Sequence, residues 1–164
     1  MNTITVKDSK FASYASLLLR AGLGFGFLSA VADRFGLWGA SGQPNVDWGN
    51  FAQFLAYTHT LNWYLPAAMI LPLGVIATGA EILFGVLLVI GWRTRTAALL
   101  SGLLLLTFAA AMTLALGIKA PLNYAVFTGI GGSLLLASCD NFPFSLDALL
   151  SRRTNHLPGA GHRG

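Results

Sequence analysis

Two charged side chains stand where an apolar chain has least use for them. Arg20 falls inside the apolar run 14–32, Glu81 falls inside the apolar run 66–90, and neither run carries another charge. An ionisable group near the bilayer centre costs at least about 2.5 to 3.5 kcal/mol on insertion scales, so each requires a partner. Counted from the ends of their runs at 1.5 Å per residue, both fall roughly 10 to 15 Å from the same membrane face. Adjacent antiparallel helices would bring them together. Their neighbours agree: Ser13, Ser16, Arg20 and Gly24 share one helical face, and Gly74, Thr78, Glu81 and Gly85 share another. Such a pair has chemistry available to it as the polar floor of a pocket, with Arg20 donating to the carbonyl of a quinone headgroup and Glu81 relaying a proton. Without a ligand the same pair fixes only the register of two helices.

A second constellation gathers at the opposite ends of the runs: Asp33, Arg34 and Trp38 with Lys119 and Asn123, joined by Trp48 from the loop between them. It reads either as an outward vestibule for an anion or substrate, or as solvated and snorkelling interface groups. Other chemistries are closed to this chain. Cys139 is the single cysteine, so no internal disulfide or dithiol site forms. His59, His156 and His162 all lie outside the apolar runs, which excludes a pair of axial imidazoles for an intramembrane haem. No metal-ligand spacing and no dinucleotide motif occurs. The cofactor is undetermined, with a quinone as the candidate.

The elements that must position these residues follow from hydropathy. Of 164 residues, 55% are hydrophobic and only 10% charged, against about 25% charged in soluble domains. A water-soluble fold of this length has no means of hiding so much apolar surface. Four spans are expected, at about 14–32, 66–90, 97–117 and 122–138, forming an all-α, antiparallel four-helix membrane bundle over residues 1–138. Pro66 suits a first helical turn, and Pro72 is expected to kink the second span. Gly22, Gly26 and Ala30 form a small-residue stripe suited to a close helix crossing. The third span, nearly all Leu, Ala and Thr, reads as scaffold; the fourth, with Gly129, Gly131 and Gly132, as packed inside the bundle.

The outer segment 36–65 is too long for a simple connection, and its aromatic residues predict structure of its own. Phe51, Phe54, Leu55 and Thr58 recur at helical spacing, with Asp47 as the expected cap, giving a short helix in the interface. It acts as an anchor or as a lid. Residues 139–164 are expected to form a cytoplasmic amphipathic segment, with Phe142, Phe144, Leu146 and Leu149 beside Asp147 and Arg152, and then a disordered tail.

Orientation follows from the basic residues. Lys7, Lys10, Arg93, Arg95, Arg152 and Arg153 fall on one side, and Arg34 and Lys119 on the other. The positive-inside rule then places both termini and the short turn carrying Arg93 and Arg95 in the cytoplasm. A cleaved signal peptide ending at Ala30-Val31-Ala32 competes for the first run, but Arg20 in its middle argues against it. The net charge of +4 is placed at span ends rather than on one face, which excludes nucleic acid as a partner.

The chain resembles the DoxX family of small bacterial four-helix membrane proteins. The resemblance rests on Leu-Leu-Leu-Arg-Ala-Gly-Leu-Gly at 17–24, on Gly36, on Gly-Ala-Glu-Ile-Leu-Phe-Gly-Val-Leu-Leu-Val-Ile-Gly at 79–91, and on Thr-Arg-Thr-Ala-Ala at 94–98. It implies a four-helix bundle in the bacterial plasma membrane and, for some relatives, a place in thiosulfate:quinone oxidoreductase or other redox-linked assemblies. Arg20 and Glu81 would be the family's polar membrane residues, and Gly91, Thr94 and Arg95 its cytoplasmic turn. The long aromatic loop 36–65 departs from the shorter members and puts the transfer of thiosulfate chemistry in doubt. Two functions are therefore expected to compete: a membrane subunit of a redox assembly whose protein partner brings the electron carrier, and a noncatalytic scaffold or anchor for a periplasmic or membrane partner. A small transporter is a third, but the two halves show no repeat around a midplane site.

Overall fold

In lipid, a single segment satisfies its own backbone groups only as a helix, and the apolar runs fold accordingly. The computed structural model describes residues 10–140 and 142–155, the last four by backbone alone. Its helices are α1 (Lys10–Arg34), α2 (Phe51–Leu61), α3 (Ile70–Ile90, preceded by a 3-10 turn at Ala67–Met69), α4 (Thr94–Leu116), α5 (Lys119–Asn123), α6 (Val126–Ser138) and α7 (Leu146–Asn155). Among the described residues there is no strand. Lys7, the side chains of Arg152 and Arg153, and the tail expected beyond Thr154, apart from the backbone of Asn155, lie outside the described residues.

Three helical segments, Lys10–Arg34, Ala67–Ile90 and Thr94–Leu116, are long and apolar enough to cross a membrane. Their outward faces are apolar as well: Leu18, Ile76 and Leu114 are 75%, 69% and 71% exposed. Water would not tolerate so much contiguous apolar surface, whereas acyl chains cover it at no cost. The chain is a multi-pass membrane protein. The expected fourth span is interrupted. Ala125 adopts a left-handed φ of 52°, which a residue with a Cβ rarely does, and the 13-residue α6 that follows is about 20 Å long, short of the roughly 30 Å hydrocarbon core. α5 and α6 nevertheless run back along α4, with Leu105 against Gly129 and Ser133 against Gly102.

α1 and α3 cross closely at Gly24 and Gly85. A Cβ on Gly24 would lie 3.0 Å from the Gly85 carbonyl oxygen, and one on Gly85 3.1 Å from that of Gly24. The expected stripe of Gly22, Gly26 and Ala30 is not the contact, because Gly22 and Gly26 have open space where a Cβ would be. Of the two candidate faces, the one that carries Arg20 won: with Arg20 and Gly24 buried, the polar groups leave lipid together. Pro72 falls in the first turn of α3, where its missing N–H removes no interior bond, and the helix runs unbroken from Ile70 to Ile90. Among the buried hydrophobic residues, Phe27, Leu88, Ala97, Ala98 and Leu136 form a central cluster flanked by Leu23, Phe84 and Leu104.

One end of the bundle gathers the start of α1, the turn between α3 and α4, and the start of α7. Both Asp147 oxygens accept from the first N–H groups of α4, at 2.8 Å from Arg93 N and 2.8 Å from Thr94 N. An acid at a helix N-terminus satisfies orphan donors and the helix dipole together. Gly91, at φ 70°, ends α3 with no room for a side chain, since a Cβ there would sit 2.4 Å from that of Ser145. Asp147→Ala is expected to destabilise the folded protein by about 1 kcal/mol, the usual value of a lost cap, read as a shift in its unfolding midpoint in mixed micelles.

Candidate functional site

Glu81 is paired with Arg34, not with Arg20. Arg34 Nη1 meets Glu81 Oε2 in an ion pair in which both side chains are 3% exposed, and the same Nη1 donates to Thr78 Oγ1 at 2.9 Å. Helix geometry explains the choice. Side chains lean toward the N-terminus of their own helix, so Arg34, at the last residue of α1, reaches back into the bundle. Glu81, on antiparallel α3, leans the opposite way and meets it. Arg20, on the same helix as Arg34, leans away from Glu81.

Arg20 also lies lower than its run suggested. It is 14 residues before Arg34, about 21 Å along the helix, and its guanidinium stands beside Gly91 at the cytoplasm-facing turn of the expected topology. There it donates to the Phe144 carbonyl at 2.7 Å and the Pro143 carbonyl at 3.5 Å. The reason for the misplacement is that α1 begins at Lys10, so its first turns project past the end of α3.

The segment between α1 and α2, with the start of α2, roofs the ion pair. The Arg34 guanidinium carbon lies 3.8 Å from the Phe54 ring centroid and 5.2 Å from that of Trp48, a cation-π arrangement that gains strength where water is excluded. Trp48 and Phe54 themselves meet edge to face, with centroids 5.4 Å apart. The loop is strapped to α1 at two places. Trp48 N–H donates to Asp33 Oδ2 at 2.7 Å, and Gly36, at φ 73°, lets the backbone of Gly49 approach so closely that a Cβ would lie 2.9 Å from its carbonyl oxygen. α2 is capped by Asn50, whose side chain accepts from Gln53 N at 2.9 Å, rather than by Asp47. Its Phe54 and Thr58 are buried against the bundle. Burial pushes the Tyr57 phenol above its ordinary pKa, reinforced by Tyr124 and Asp47.

Of the outer residues expected to cluster, the structure unites Asp33, Arg34 and Trp48 around Glu81. It leaves Trp38 exposed, its indole N–H donating to Ser29, and Lys119 and Asn123 exposed on α5. Arg93 and Arg95 are exposed at the turn between α3 and α4. Phe54 and Thr78 belong to the site although only their helical faces were legible beforehand. Apart from Glu81 Oε2, which is held in the ion pair, two polar atoms in the cluster, Asp33 Oδ1 and Arg34 Nε, are buried without a hydrogen-bond partner among the described residues. One acceptor and one donor are thus left available at the ion pair.

The family model described as methylamine utilisation protein MauE matches residues 12–123, from α1 through α5. No curated protein and no solved structure matches the chain. The motifs that resemble DoxX proteins lie within this same stretch. The chain belongs to the MauE family of membrane proteins.

Proposed function

We propose that this MauE-family chain is the membrane subunit of a redox-linked assembly of methylamine utilisation. In this reading α5 and α6 complete a fourth crossing of the bacterial inner membrane, both ends are cytoplasmic, and α2 with its loop forms a lid at the outer interface. The observation that carries the proposal is the buried pair of Arg34 and Glu81 beneath Trp48 and Phe54. It lies within the stretch matched by the family, and isolated charges are expensive enough in a membrane that they mark functional sites by default. A single cysteine, and histidines outside the spans, leave the electron carrier to a protein partner docking at the outer loop.

The polar floor for a quinone headgroup then consists of Arg34 and Glu81 in place of Arg20 and Glu81. Arg34 Nε offers a donor to a carbonyl, Asp33 Oδ1 accepts from a hydroxyl, and Glu81 carries the proton. In the host, Glu81→Gln and Trp48→Ala are expected to abolish growth on methylamine while growth on ammonium stays normal, compared at matched amounts of each variant in the membrane. Unimpaired growth on methylamine in both variants would refute the site. The scaffold reading draws support from the closure of the roof over Arg34. It predicts that a co-purifying partner is lost in Trp48→Ala, whereas a chemical site predicts that the partner is retained and activity is lost.

A further inference from the structure

At the end of the bundle opposite Glu81, the start of α7 is tied to the end of α3 by Asp147 N–H donating to the Gly91 carbonyl at 3.0 Å, and beside it lies a mostly apolar groove of about 700 Å³ whose lining includes Ile90, Phe144, Ser145, Leu146, Ala148 and Leu149. That volume is within the range of pockets that bury small ligands. The walls are held by polar contacts made outside the groove. Arg20 grips the carbonyls of Pro143 and Phe144. Asp147, between the lining residues Leu146 and Ala148, is turned away onto the N-terminus of α4.

The rim is cationic. Arg93 and Arg95, three and five residues past Ile90, are exposed, and among the described residues neither is seen in an ion pair. On the other side Tyr14 stacks on Phe144 with centroids 6.5 Å apart, and Lys10, one turn earlier on the same face of α1, is exposed. Asp147, between two lining residues, has both oxygens engaged by backbone N–H groups. Half-exposed Trp92 and exposed Tyr14 are the residue types that settle at headgroup depth.

We propose that this groove binds one anionic phospholipid, with an acyl chain along Ile90, Phe144, Leu146 and Leu149 and the phosphate and headgroup on Arg93 and Arg95. The charge of the rim selects the occupant. A choline headgroup returns a positive charge to a surface that is already positive, whereas a glycerol headgroup leaves the phosphate charge uncompensated, and each basic residue near the lipid surface adds attraction. The site depends on the chain being embedded in a membrane and not on the reaction proposed for the opposite end.

The test is native mass spectrometry of the delipidated full chain, titrated separately with phosphatidylglycerol and phosphatidylcholine of identical acyl chains, and with inorganic phosphate. One phosphatidylglycerol is expected to bind more tightly than phosphatidylcholine. Arg93→Gln and Arg95→Gln, both at exposed positions, are each expected to weaken it about fivefold without changing phosphatidylcholine binding. Leu149→Trp, which fills the groove, is expected to weaken both lipids. Equal affinity for the two lipids would overturn the proposal. So would displacement of phosphatidylglycerol by an equal concentration of phosphate, which marks a charge site without the groove, or appearance of a dimer that excludes lipid.

Discussion

Glu81→Leu is expected to destabilise the folded bundle by about 3 to 5 kcal/mol, the usual consequence of leaving one member of a buried ion pair without its partner. Arg34 would then remain 3% exposed between Phe54 and Trp48 with a positive charge and only Thr78 to receive it. Arg34→Met should cost a similar amount by stranding Glu81. The double variant should recover much of the loss, because replacing both charges with apolar groups of like size removes the desolvation penalty together with the attraction. Unfolding in mixed detergent micelles measures all three, and the double-mutant cycle isolates the pair. The same cycle between Arg20→Gln and Glu81→Gln should be additive within about 0.5 kcal/mol, because these groups share no partner. Strong coupling of Arg20 to Glu81 and none of Arg34 would contradict the ion pair described above.

Gly24→Val is expected to cost at least about 3 kcal/mol, the upper part of the range for overpacking a close contact. Its Cβ would stand 2.8 Å from Val89 Cγ2 and 3.0 Å from the Gly85 carbonyl oxygen. The valine side chain has some room to move; the backbone oxygen of a packed helix does not. Separating α1 from α3 also pulls Arg34 from Glu81, so the energies of Gly24→Val and Glu81→Leu should sum to more than the double variant loses. Gly22→Val provides the control. With open space at its Cβ position it should change stability by less than about 0.5 kcal/mol, as lipid-facing or surface substitutions commonly do. Equal effects at positions 22 and 24 would show that the crossing has been assigned to the wrong face.

The placement of Gly24 and Glu81 on buried faces was legible because helical periodicity is a property of the chain itself. Gly74, Thr78, Glu81 and Gly85 recur at three and four residues, and those residues are buried on α3. The pairing of Glu81 was not legible. Depth counted from the ends of a hydropathy run carries an error of several residues, since helices continue past the apolar stretch, as α1 does to Lys10. An error of one turn is enough to exchange one arginine for another. The roof over Arg34 was also beyond reach: the loop's aromatic residues announced structure, but which rings would stack on the guanidinium depends on Asp33 holding Trp48 and on the close passage of Gly36 and Gly49.

The sequence by itself determined that the chain lives in a membrane, that its long apolar runs are helices, that their polar faces turn inward, and that the segment between the first two runs folds. Each of these is a local or compositional consequence of apolar residues that only lipid can cover and of a backbone that must satisfy itself. The tertiary structure alone decided which charges meet, that the expected fourth span is interrupted at Ala125, and that Asp147 from α7 caps α4. The physical reason is one of reach. Partners such as Arg34 and Glu81, or Asp147 and Thr94, lie 47 and 53 residues apart in the chain, and their meeting depends on the offset between packed helices and the direction in which side chains lean, which no local pattern encodes.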